Sequence, residues 1–121
     1  KKIFQIYGKN YKTKDGTCVR DYIHVKDIAM AHLLAFKKLR KVNGHNEINL
    51  GLGKGISVLE IIKIFENENK IKIPFNFSLP RKGDSAISFA DNRKAKKILG
   101  WKPVYTYKDM VRDAWQACLK K

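Results

Sequence analysis

The chain has 121 residues, 44% of them apolar and 31% charged, which describes one domain with a modest core and excludes wholesale disorder. Lys and Arg number 26 against 11 Asp and Glu, a formal net charge of +15. Such a charge favours anionic partners but does not choose among nucleic acid, a membrane surface and phosphorylated small molecules.

From the N-terminus, Ile3 to Tyr7 is an apolar-aromatic segment ended by Gly8, and it reads as a strand end or buried turn. Gly8 to Thr17 is polar, with Asp15-Gly16 as its turn. Val19 to Val25 alternates and predicts a strand, with Arg20, Tyr22 and His24 on one face. Asp27 is placed to cap a helix from Ile28 to about Leu39. Lys37, Lys38, Arg40 and Lys41 crowd its end, where the helix dipole favours cations, and Asn43-Gly44 stops it. Glu47 to Leu50 predicts a short strand, followed by a flexible bend carrying Gly51, Gly53 and Gly55.

Ser57 and Glu60 form a capping box before Val58, Ile61, Ile62 and Phe65, the clearest helical repeat in the chain. Ile71 to Leu79 contains Pro74 and predicts an edge strand. Pro80 to Asp84 is a loop. Asp91 or Asn92 caps a short helix that ends at Leu99, with Gly100 beyond it. Thr106 and Asp109 form a second capping box, ahead of an amphipathic helix through Tyr107, Met110, Val111, Ala114, Trp115 and Cys118. The sum is mixed α and β, with strands too few and too dispersed for an independent sheet. Such a chain suits a piece that completes another domain.

Cys18 and Cys118 are the only cysteines and form no CxxC. A reducing compartment, hence the cytoplasm, is the expectation, with Cys118 a core thiol. No apolar stretch of 18 residues occurs, so no membrane-spanning helix is expected. The first residue is Lys1, which suggests a sequence that begins inside a longer gene product.

Several motifs are suggestive and fail on spacing. Gly51-Leu52-Gly53-Lys54-Gly55 matches neither GxGxxG nor GxxxxGK[ST], so no cofactor-binding residue is assigned there. Tyr22 and Lys26 have Tyr-x-x-x-Lys spacing, but in a strand four residues span about 13 Å, too far for a pair acting on one atom. No catalytic residue is therefore assigned. His24, His32 and His45 share no ligand spacing, and no metal site is expected. Two places remain. Arg20 and Tyr22 share a strand face and suit a pocket wall, offering a guanidinium fork and an aromatic plane. Arg81-Lys82-Gly83-Asp84 places a cation, a hinge and a carboxylate together.

The run Asp15-Gly16-Thr17-Cys18-Val19-Arg20-Asp21-Tyr22-Ile23-His24-Val25-Lys26-Asp27 resembles the signature of UDP-galactose (UDP-glucose) 4-epimerases. Asn49-Leu50-Gly51, Gly53, Ser57-Val58, Pro80-Arg81-Lys82-Gly83-Asp84, Lys94-Ala95 and Leu99-Gly100-Trp101 follow in family order. The resemblance implies the C-terminal nucleotide-sugar-binding part, residues 1–121, of an extended short-chain dehydrogenase/reductase whose N-terminal Rossmann core is absent. It implies NAD held by that missing half, a UDP-sugar substrate, a 4-keto intermediate and a homodimeric parent. It also implies that this chain alone is inactive.

By the same resemblance, Gln5, Ile6 and Tyr7 line the uracil, Arg20 and Arg81 grip the diphosphate, Tyr22 lies beside the uridine, and Asp84 accepts from the ribose. Lys82 departs from many members, which carry an acidic or neutral residue there. Ser88, four residues after Asp84, matches the position bordering the sugar's 2-substituent. Its small size implies room for N-acetylated sugars, and alternation is expected to turn Ser88 and Phe89 to opposite faces. A related nucleotide-sugar dehydratase or reductase is the alternative, and a basic polyanion-binding module is a third, expected to need a stripe of cations with stacking aromatics.

Overall fold

The computed structural model describes residues 3–120. Its elements are β1 (Phe4–Tyr7), β2 (Val19–Arg20), α1 (Val25–Lys38), β3 (Ile56–Ser57), α2 (Val58–Asn69), β4 (Phe75–Ser78), β5 (Ile87–Ser88), α3 (Arg93–Leu99) and α4 (Tyr107–Leu119). Two small sheets result. In one, β1 and β4 run parallel, with Gln5 opposite Asn76 and Tyr7 opposite Ser78. In the other, β2 is central, antiparallel to β3 and parallel to β5.

Both capping boxes form. The Ser57 hydroxyl accepts from Glu60 N while Glu60 accepts from Ser57 N, and Thr106 and Asp109 repeat the arrangement at α4. These caps satisfy N–H groups that a helix start leaves unpaired. Helices α2 and α4 then pack together through Phe65 and Trp115, edge to face at 5.8 Å. The main core joins α1 to α3: Ala31, Ala95, Leu99 and Trp101 are buried, with Ile23, Leu34, Ile48 and Leu50 against them. Gly100 takes a left-handed backbone with φ of 70° and ends α3.

The entry to α1 differs from the expectation. Asp27 does not cap it. Its carboxylate is buried and accepts from Val104 N at 3.0 Å and Tyr105 N at 3.1 Å, while its carbonyl accepts from Trp101 Nε1 at 2.9 Å. The cap is His24, whose Nδ1 accepts from Lys26 N at 3.0 Å. The strand expected through Val25 therefore stops at Arg20, and Lys26 lies in the first turn of α1. Tyr22 and Lys26 thus do not share a strand as expected.

Two more expectations fail for packing reasons. Glu47–Leu50 forms no strand and pairs with neither sheet, and a lone segment without a paired neighbour gains no ladder to hold it as one. Cys118 is exposed rather than a core thiol: it shares the side of the buried Val111 but lies two turns further on, at the end of α4 next to its last residue Leu119.

Candidate functional site

Strand β2 delivers Arg20 to a cavity of about 210 Å³. Strand β1 supplies Gln5, Ile6 and Tyr7, the segment entering α1 supplies Tyr22, and the loop after β4 supplies Arg81 and Asp84. All seven of these sequence-predicted residues line this one cavity. They come from segments up to 79 positions apart, and the parallel pairing of β1 with β4 is what brings the loop to the strand.

The charged groups are already organised. Arg20 Nη2 donates to Asp84 Oδ1 at 3.0 Å, and Nη1 donates to the Val19 carbonyl at 2.8 Å. Each side chain of that pair keeps over a quarter of its surface in solvent, 27% and 30%. The Arg81 guanidinium lies 4.0 Å above the Tyr7 ring, a cation–π stack. Gly83 makes the turn between Arg81 and Asp84 with φ of 83°, a conformation that favours glycine. Burial raises the Tyr22 hydroxyl above its ordinary pKa, and the nearby Arg20 partly offsets this; a protonated hydroxyl there can donate as well as accept.

Phe4, Cys18 and Val58 also line the cavity and were not singled out from sequence. Cys18 was detectable: it continues the two-residue alternation of Arg20 and Tyr22. Phe4 and Val58 are apolar lining without a distinguishing pattern.

Ser88 does not join this group. It pairs with Arg20 across the β2–β5 ladder and lines a neighbouring cavity of about 400 Å³, with Arg20, Asn49 and Asp91. Phe89 lines the same cavity, contrary to the alternation expected of it, because β5 ends at Ser88. Arg20 is the shared wall of the two cavities. A larger hollow of about 680 Å³ lies along Tyr7, Tyr11, Phe77 and Pro80, but it contains neither arginine nor Asp84.

The glycine bend after Leu50 is not a phosphate cradle. The N–H groups of Leu52 and Gly53 already donate to the Asp21 carboxylate, at 2.9 and 3.2 Å. A cofactor phosphate would find these donors taken, so the described residues do not fit a dinucleotide there. Lys26 is likewise committed: its Nζ sits 2.9 Å from Asp113, which also lies 3.3 Å from the buried His24.

The family model described as GDP-mannose 4,6 dehydratase matches residues 1–114. A UDP-glucose 4-epimerase of Bacillus subtilis is 45% identical over 111 residues, which is 92% of this chain and 33% of that protein. Among solved structures, a UDP-glucose-4-epimerase from Stenotrophomonas maltophila, with bound NAD and formylated UDP-arabinopyranose, superposes with a TM-score of 0.89 and 46% identity. That match covers 98% of this chain and 36% of the other. The UDP-Glc/GlcNAc 4-epimerase of Campylobacter jejuni gives 0.85 and 33%, covering 100% of this chain and 37% of that one. The chain thus spans about a third of the length of the curated relatives it matches. It belongs to the GDP-mannose 4,6 dehydratase family and is homologous to the UDP-glucose 4-epimerases within the short-chain dehydrogenase/reductase superfamily.

Proposed function

We propose that this chain is the UDP-sugar-binding part of an NAD-dependent UDP-glucose 4-epimerase. The observation that carries the reading is the convergence of Arg20, Arg81, Tyr22 and Asp84 with the β1 residues Gln5, Ile6 and Tyr7 on one cavity. The chemistry is complementary to UDP. Two guanidinium forks match a diphosphate, Asp84 accepts from a ribose diol, and apolar backbone beside Tyr7 faces a planar base. Lys82 adds positive charge beside the clamp. The epimerase relatives favour this reading over the dehydratase and reductase alternatives.

The rest of the reaction belongs to an N-terminal portion outside this chain. NAD supplies hydride transfer at C4 of the hexose when bound, and that portion would hold it. The outer side of α1 supports such a junction, since Met30, Leu33, Phe36 and Leu39 are 45% exposed or more, an apolar stripe that calls for a covering layer. The segment Glu47–Leu50, which has no strand partner among the described residues, adds a second place where a further sheet can attach.

The test is a coupled assay of UDP-galactose conversion with NAD supplied. The chain alone is expected to show no turnover above background, and the chain joined to its N-terminal portion to be active. Turnover by the 121-residue chain of verified mass would refute the division of labour. An inactive joined protein that fails to bind UDP would refute the assignment.

A further inference from the structure

We propose that Asp21 is a positioning residue that fixes the width of the Arg20–Ser88 cavity, and through it the hold on the hexose. The proposal rests on the UDP-sugar reading above. Asp21 sits between Arg20 and Tyr22 in sequence but does not line the cavity they share. It faces the other way, into the cavity that contains Asn49 and Ser88.

Its carboxylate accepts three backbone N–H groups from two separate segments. Oδ1 takes Leu52 N at 2.9 Å; Oδ2 takes Gly53 N and Ala90 N, both at 3.2 Å. Leu52 and Gly53 follow the wall made by Asn49 and Leu50 after one intervening residue, Gly51, and Ala90 belongs to the opposite wall with Ser88. One carboxylate therefore clips the two walls together. A charged acceptor shared among three amides is a strong local tie. Two further bonds brace the same loop: Asn92 Nδ2 donates to the Gly51 carbonyl and Tyr107 Oη to the Lys54 carbonyl, each at 2.9 Å.

Gly51 shows how closely the clip is fitted. It is buried, and a Cβ there would lie 2.2 Å from Asp21 Oδ2 and 2.7 Å from the Ala90 Cβ. Its backbone is outside the left-handed region, so the constraint is the approach of the carboxylate and the opposite wall, not backbone conformation. Any side chain at this position would force the walls apart.

The inference separates two ligands. UDP would occupy the cavity of Arg81, Tyr22 and Asp84, which Asp21 does not line; the hexose would extend past Arg20 toward Ser88. The test uses the longer protein of which this chain is the proposed sugar-binding part, with UDP and UDP-glucose titrated calorimetrically. Asp21→Asn puts an amide where backbone donors converge, and Gly51→Ala displaces the same carboxylate from the loop side. Each should weaken UDP-glucose about tenfold relative to UDP, the scale of one hydrogen bond to a charged group. UDP affinity should change little, while the melting temperature of Gly51→Ala should fall, since its Cβ would meet the Ala90 Cβ at 2.7 Å. The double variant should lose no more than the worse single one, because both act on one clip. Equal losses for UDP and UDP-glucose would overturn the proposal and reduce Asp21 to a general staple, as would additive losses in the double variant. If the unaltered protein binds neither ligand, the UDP-sugar reading itself fails.

Discussion

Arg20 and Asp84 meet at 3.0 Å although 64 residues separate them, and this contact ties the Arg81–Asp84 loop to β2 at the candidate site. On the proposed reading Asp84 serves the ribose while holding a phosphate-binding arginine in place. UDP and uridine both carry the ribose, so Asp84→Asn should weaken both, by about tenfold. Calorimetric titration of the two ligands checks this. Loss confined to UDP would place Asp84 at the phosphates instead.

Ser88 bears on sugar choice. It lines the cavity of about 400 Å³ beside Arg20, and a Tyr would fill volume that an acetamido group needs. On the proposed reading, a longer protein containing this chain is expected to turn over N-acetylated as well as plain UDP-hexoses. In Ser88→Tyr, kcat/KM for the N-acetylated pair should fall about a hundredfold relative to the plain pair, or nearly 3 kcal/mol. A parent protein active on the plain pair and silent on the N-acetylated pair would contradict the pocket argument.

The start of α4 carries a pH signature. The Thr106 hydroxyl and backbone N–H donate to Asp109, and with Arg112 nearby they hold its carboxyl down at about 2. An unfolded Asp titrates near about 3.9. The folded value is depressed, so the stabilisation is complete above the unfolded value and is lost as pH falls through the folded one. Thermal melts of the protein and of Asp109→Asn should therefore differ at about pH 5 and converge toward about pH 2. A gap that persists unchanged at the acid end would rule out this carboxylate as its source.

The local signals were the legible ones. Ser57 with Glu60 and Thr106 with Asp109 each lie three residues apart and announce α2 and α4 directly. Asp27 carried an equally good capping signal and went elsewhere, because its partners Val104 and Tyr105 lie 77 and 78 residues away. No local pattern contains that distance. The failure at Glu47–Leu50 is of another kind: the segment is a short strand candidate in sequence, but it forms no strand and joins neither sheet, and a strand needs a neighbour. At the site, Arg20 and Tyr22 were visible from alternation, whereas the gathering of Gln5, Tyr7, Arg81 and Asp84 followed from family resemblance. Val58 belongs to the Ser57-Val58 pair of the resemblance, but neither signal assigns it to the cavity it lines.

The central claim is that Arg20 and Arg81 form a diphosphate clamp, and Arg81 tests it most directly. Its guanidinium rests on Tyr7 at 4.0 Å, and it forms no ion pair among the described residues that its removal would break. Calorimetry of the complete protein should show Arg81→Ala weakening UDP by about 2–3 kcal/mol, the scale for a lost charged hydrogen-bonding partner. Uridine, which lacks the phosphates, should bind nearly as before. Equal losses for UDP and uridine would contradict the clamp.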